Sequence, residues 1–175
     1  MGQSIKWFAA KTRANQEFAI QRKISELQIE AFVPTIKLIR ARDGKKKSIL
    51  KAALPNIVFI RASKESAYKI INEYGLKITY MIDAMTKKAL IIPDRQMEDF
   101  KRVMLEFDSE RVTFSTITKF TPGDPVRITS GPFANVKGIL GHENTDRQVS
   151  IHLNGVATIF IQLNKDTLEK TDTIL

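Results

Sequence analysis

Residues 54–61 read LPNIVFIR, and the four successive apolar side chains from Ile57 to Ile60 leave the segment without a polar face. A strand sends alternate side chains to opposite sides, so an unbroken apolar run requires cover on both. The run therefore predicts a central strand in a sheet that is packed above and below, and everything around it must supply those layers.

The neighbouring residues read as such a supply. Ile5–Lys11 (IKWFAAK) suits a buried strand. Asn15 can cap a helix on which Ile20, Ile24, Leu27 and Ala31 recur at intervals of four, three and four. Residues 31–42 read as extended, Asp43-Gly44 as a hairpin turn, and residues 45–54 as the returning arm. Ser63 can cap a second helix that runs to about Tyr74 and stops at Gly75. Strands over 78–82 and 90–92 follow, and Pro93-Asp94 opens a third helix with Met97, Phe100, Met104 and Phe107 along one side. The order strand, helix, hairpin, strand, helix, strand, helix predicts a ferredoxin-like α+β sandwich with an inserted hairpin.

Beyond residue 107 the pattern changes. Residues 108–118 (DSERVTFSTIT) lose periodicity and read as a linker between a first domain, 1–107, and a second, 119–175. The second holds short β-rich segments (126–129, 136–140, 148–153 and 157–162) separated by Gly, Pro, Asn and Asp turns, which predicts a small five-stranded barrel. Gly131-Pro132 fits a turn, Phe133 would plug one end of the barrel, and Gly138 would allow a close backbone approach. Charge divides at the same place. Residues 1–107 carry 21 Lys/Arg against 11 Asp/Glu, a balance of +10, whereas residues 108–175 carry 7 against 8, a balance of −1. The first domain thus faces a polyanion and the second meets a different kind of partner.

The same residues argue against an enzyme. Cys is absent, and His142 and His152 are the only histidines, a poor metal set. Glu98 and Asp99 occupy consecutive helix positions and point apart. There is no nucleophile elbow, phosphate loop or dinucleotide fingerprint. No catalytic residue, cofactor or metal is expected. No apolar run approaches the roughly 18 residues of a membrane span. The start MGQSIKWFAAK lacks an apolar signal core, and Lys6 stands where an acylation signal has Ser or Thr. The expectation is a soluble cytoplasmic protein.

Taken together, Trp7-Phe8, Glu17, Phe32-Val33-Pro34, the strand LPNIVFI, Ile92-Pro93 and the run from Phe120 to Leu140 resemble the NusG family of transcription elongation factors. In that family an amino-terminal, ferredoxin-like NGN domain precedes a KOW barrel. LPNIVFIR is closer to the pattern of specialised RfaH-type paralogues than to that of housekeeping NusG, and the arrangement also resembles UpxY-type antiterminators of bacterial polysaccharide operons. The alternatives are a housekeeping NusG and a ribosome-associated RNA-binding KOW protein.

The resemblance implies functional residues by position. Family members bind RNA polymerase at the β′ clamp helices, with the β subunit as the opposite wall of the cleft. The corresponding patch is Leu54, Pro55, Asn56 and Ile57, with Lys11, Met97 and Phe100 nearby. Leu54 and Ile57 replace residues that are usually aromatic, and Lys11 falls where RfaH has Tyr. A Pro-Asn turn at a strand end is expected to present Leu54 and Ile57 outward.

Arg13 and Lys23 fall where RfaH reads the non-template DNA strand, but Ala14 and Ala19 replace arginines there, so that recognition sequence does not transfer. Lys37, Arg40, Arg42, Lys45, Lys46, Lys47 and Lys51 make a cationic hairpin suited to phosphates and, by resemblance, to upstream DNA. The KOW domain would meet a small-subunit ribosomal protein through the segment of Asn154 and Val156. Asn154 replaces a Phe that housekeeping NusG uses for such contacts, with Rho or the ribosomal protein, and losing an aromatic anchor worth roughly 2 kcal/mol weakens that shared interface and predicts weak or no Rho binding. The abundance of Val, Ile and Thr over 148–161 argues for a permanent barrel. A monomer is implied.

Overall fold

The computed structural model describes residues 4–42, 45–105, 112–115, 123–141, 147–163 and 168–171. The chain divides into two compact units, Met1–Pro93 and Asp94–Leu175. The division precedes the third helix rather than following it at 107.

In the first unit β1 (Lys6–Lys11) pairs along its whole length with β5 (Ile57–Ala62), antiparallel, with Phe8 opposite Ile60 and Lys11 opposite Ile57. β2 (Glu30–Phe32) flanks β5, and β6 (Thr79–Tyr80) and β7 (Ile91–Ile92) pair with β1. The resulting order is β2-β5-β1-β6, which makes β5 and β1 the interior strands. As the apolar run requires, Ile57, Val58, Phe59 and Ile60 are all buried. Phe8, Ala10, Val58, Ile60 and Ala62 share one core with Ile20 and Ile24 of α1 (Glu17–Glu26) and with Ala67 and Ile70 of α2 (Lys64–Asn72).

The basic segment forms a separate two-stranded hairpin, β3 (Thr35–Arg42) and β4 (Lys45–Ala52), in register from Thr35 opposite Ala52 to Arg42 opposite Lys45. The expected turn residues, Asp43-Gly44, lie outside the described residues.

Two helix boundaries differ from expectation. α1 begins at Glu17, because Asn15 adopts φ +60° in a turn closed by the Gln16 amide donating to Arg13 O at 3.2 Å. It ends at Glu26, where Gln28 takes φ +61° and the amides of Gln28 and Ile29 donate to Ser25 O and Ile24 O. Those two bonds satisfy the last carbonyls in a Schellman pattern. Ala31 therefore lies in β2, not on the helix face. α2 starts as expected, with Ser63 Oγ accepting from the Ser66 amide at 3.1 Å.

In the second unit, α3 (Asp94–Leu105) buries Met97, Phe100, Val103 and Met104. Phe107 lies outside the described residues. The sheet contains β8 (Val112–Ser115), β9 (Pro125–Ile128), β10 (Lys137–Leu140), β11 (Arg147–Leu153), β12 (Ala157–Leu163) and β13 (Leu168–Lys170), in the order β13-β9-β10-β11-β12-β8. It is antiparallel throughout and has six strands among the described residues rather than five. The additional strand comes from the expected linker, where three of the four residues of VTFS are β-branched or aromatic and the segment pairs with β12.

Phe133 is buried in the turn after Gly131, which has φ +81°. A Cβ on Gly138 would sit 2.4 Å from Val149 Cγ1 and 2.6 Å from Ser150 O, the close approach that its position suggested.

Candidate nucleic-acid and protein interface

The turn between β1 and α1, residues 12–16, is the hinge of the site. It is tied to the start of the central strand at two points. The Thr12 amide donates to Asn56 O at 2.9 Å, and the Asn56 amide donates to Glu17 Oε1 at 2.7 Å. Glu17 is 5% exposed and sits in the first turn of α1, where the helix dipole favours a carboxylate. It holds Asn56 at φ +64°, and so fixes the Pro55-Asn56 turn.

A cationic hollow of about 520 Å³ lies on one side of this hinge, lined by Thr12, Arg13, Lys23, Tyr74 and Lys77 among others. Arg13, Lys23, Tyr74 and Lys77 are exposed. Three cations beside an accessible phenol ring can pair with phosphates while a base stacks on the ring. Arg13 and Lys23 are legible in the sequence, and the structure brings them together. Tyr74 and Lys77 are not. The sequence signal available for them is the end of a helix at Gly75, which places a surface aromatic without saying what it faces.

A second hollow, also about 520 Å³, is lined by Phe18, Leu38, Ile49, Leu50 and Pro55 among others. Ala14 borders both hollows. Phe18, Ile49 and Leu50 are exposed apolar side chains, Leu50 by 58%. This hollow lies between α1 and the hairpin and is edged by Pro55 and Asn56, both exposed.

The remaining sequence-derived positions separate into surface and core. Lys11, Lys37, Lys47 and Lys51 are exposed. The pairing sets Arg40 opposite Lys47 and Arg42 opposite Lys45, and the side chains of Arg40, Arg42, Lys45 and Lys46 lie outside the described residues. Leu54 and Ile57 do not point outward as expected. They are 1% and 8% exposed, because only Pro55 and Asn56 form the protruding turn. Met97 and Phe100 are fully buried in the second unit.

Asn154 is exposed at the β11–β12 turn, and its amide donates to Gln96 Oε1 of α3 at 3.0 Å. Val156 is buried and closes that turn through its amide to Leu153 O at 2.7 Å. α3 also meets the sheet of its unit through Arg102 Nη1, which donates to Ala134 O at 2.7 Å. Burial pushes the Asp99 carboxyl up, against the opposing pull of Arg95 and of a hydrogen bond from the Lys137 amide. His142 lies outside the described residues. His152 Nδ1 is 3.0 Å from Thr158 Oγ1, and burial lowers its pKa. Among the described residues no group of acidic, His or Cys side chains could hold a metal ion. No helix among them is long and apolar enough to cross a membrane.

The solved structure titled "Domain interaction in Thermotoga maritima NusG" shares this fold, with TM-score 0.50 and 19% identity over 97% of this chain and 98% of that one. The family model "Transcription termination factor nusG" matches residues 5–101, and the chain belongs to the NusG family of transcription termination/antitermination factors. Among curated relatives, the transcription termination/antitermination protein NusG of Thermus thermophilus is 25% identical over 163 residues, covering 82% of this chain and 85% of the relative. That of Campylobacter jejuni is 28% identical over 149 residues, covering 77% and 78%. The family consists of transcription factors, not enzymes.

Proposed function

We propose that this protein is a specialised elongation and antitermination factor of the RfaH or UpxY type, with a ferredoxin-like NGN domain and a KOW domain, acting in the cytoplasm at particular operons. The observation that carries the reading is the hinge at residues 12–16, with a cationic, aromatic hollow on one side and an apolar hollow on the other. A factor that rides on RNA polymerase needs these two surfaces next to each other. One grips protein and the other holds the exposed DNA strand.

In this proposal Lys11, Pro55 and Asn56 face the β′ clamp helices, together with Phe18, Ile49 and Leu50 around the apolar hollow. Leu54 and Ile57 form the buried base that supports the turn, and Met97 and Phe100 act as core. Arg13, Lys23, Tyr74 and Lys77 hold the non-template strand, and the basic hairpin with Lys37 and Lys47 lies along upstream DNA. Bridging the clamp and the β subunit favours the closed, processive state, since a ligand shifts an equilibrium by its differential affinity. The departure at Asn154 from the housekeeping Phe supports a specialised role with weak or no Rho binding. In this proposal a small-subunit ribosomal protein meets the exposed turn of Asn154.

The test is reconstituted elongation with the cognate polymerase. The protein is expected to reduce pausing and termination, and Ile49→Asp with Leu50→Asp is expected to abolish the effect while the fold is kept. Unchanged pause and termination frequencies, or full activity of that variant, would count against the proposal.

A further inference from the structure

A third hollow lies between α2 and the strands β6 and β7. It has a volume of about 420 Å³ and is walled by Phe8, Tyr68, Ile71, Tyr80, Ala89 and Ile91. Its floor is fixed. The Tyr80 hydroxyl donates to Ala67 O at 3.0 Å, and its ring meets Phe8 edge to face at 5.7 Å. That hydroxyl is thereby satisfied, and burial holds the phenol well above its ordinary pKa, so it stays neutral. The walls are accessible, with Tyr68 63% and Ile91 36% exposed.

Lys64, at the start of α2, and Lys88, before β7, also line the hollow, and both are exposed. Among the described residues no carboxylate lines it. Glu65, the acid next to Lys64, is paired with Lys69 at 3.1 Å.

We propose that this groove docks an acidic amphipathic helix of a partner protein, with apolar side chains between Tyr68 and Ile91 and carboxylates on Lys64 and Lys88. An open apolar trough matches the way a helix presents side chains at i, i+3 or i+4, and i+7. The cationic rim selects for acids by charge complementarity and steers their approach. Two lysines beside apolar walls do not form a track for a phosphate backbone, which is better served by the hollow of Arg13, Lys23 and Lys77. A second copy of this chain fits poorly. Its acid-bearing helices already use their apolar faces, α1 burying Ile20 and Ile24, α2 Ala67 and Ile70, and α3 Met97, Phe100 and Val103.

The experiment is an NMR titration of the ¹⁵N-labelled full chain. The probe is a synthetic helical peptide with leucines at that spacing and glutamates elsewhere, and the control carries lysines in place of the glutamates. The acidic peptide is expected to shift the amides of Tyr68, Ile71, Ala89 and Ile91 saturably while leaving those of residues 12–16 in place. Lys64→Glu with Lys88→Glu is expected to weaken binding about tenfold or more, consistent with the cost of truncating or reversing groups at an interface. Tyr68→Ser at an exposed helix position should do the same, with an unchanged spectrum elsewhere reporting an intact fold. The proposal is overturned by equal binding of the lysine peptide, by charge reversal without effect, or by absence of a saturable shift. It is also overturned if single-stranded DNA shifts the same amides, or if they move with protein concentration alone.

Discussion

Replacing Glu17 tests whether one buried carboxylate sets the turn at the centre of the proposed interface. Its Oε1 accepts from the Asn56 amide at 2.7 Å, and the side chain is almost wholly buried. A hydrogen bond to a charged acceptor contributes about 1.5–3 kcal/mol, and an acid in the first helical turn adds about 0.3–1 kcal/mol. Asn56 is itself exposed, so water can replace the lost acceptor and the cost falls toward the middle of the combined range. Glu17→Ala should therefore destabilise the first unit by about 2.5 kcal/mol. Glu17→Gln keeps a neutral acceptor, roughly half as strong, and should cost about 1 kcal/mol.

Trp7 is the sole tryptophan and is buried in β1, so its fluorescence in a urea titration reports the first unit by itself. For a slope of about 1.3 kcal/mol/M, Glu17→Ala should lower the midpoint by about 2 M. An alanine variant within about 0.5 kcal/mol of the parent would refute the reasoning, because surface substitutions fall in that range. So would equal losses in Ala and Gln.

Other outcomes follow from individual side chains. Gly138→Ala would drive a Cβ into Val149 and the Ser150 carbonyl and should cost the second unit about 3 kcal/mol, read by calorimetry. His152 has a lowered folded pKa through burial, so the unfolded chain binds the proton more readily. Its contribution is present above pH 6.5 and lost as pH falls below that value through the lower folded pKa, and His152→Gln should flatten the acid limb of a stability profile measured by denaturation. Arg13→Glu with Lys23→Glu should weaken single-stranded DNA binding and reduce the slope of log K against log salt by about 0.7 for each phosphate that is no longer neutralised. Tyr74→Ala should lower affinity by roughly 1–3 kcal/mol with little change in that slope, because stacking releases no counterions. Fluorescence anisotropy over a salt series separates the two.

That separation also explains how far the sequence could be read. The central strand was legible because IVFI has no polar face in any register, and the hairpin because Asp-Gly stands between two extended arms. Ala31 was misplaced because α1 ends at a left-handed Gln28, a conformation that glutamine does not advertise as glycine would. Leu54 and Ile57 were expected at the surface because a strand-end turn can present its flanks. They are buried beneath a turn whose Asn56 amide is held by Glu17, 39 positions away along the chain.

The charges of the proposed interface are legible for the complementary reason. Lysine and arginine announce a polyanion wherever the fold carries them, whereas an exposed tyrosine such as Tyr74 acquires its role only from neighbours that the fold supplies. Arg13 and Lys23 come from the β1–α1 region, and Tyr74 and Lys77 from beyond the end of α2, much later in the chain. The strand pairing of β1 with β5 and β6 is what brings these two ends together. A permutation of surface charge that preserved the net +9 but emptied this hollow should thus lose strand-specific binding while retaining weak, salt-sensitive attraction to any nucleic acid.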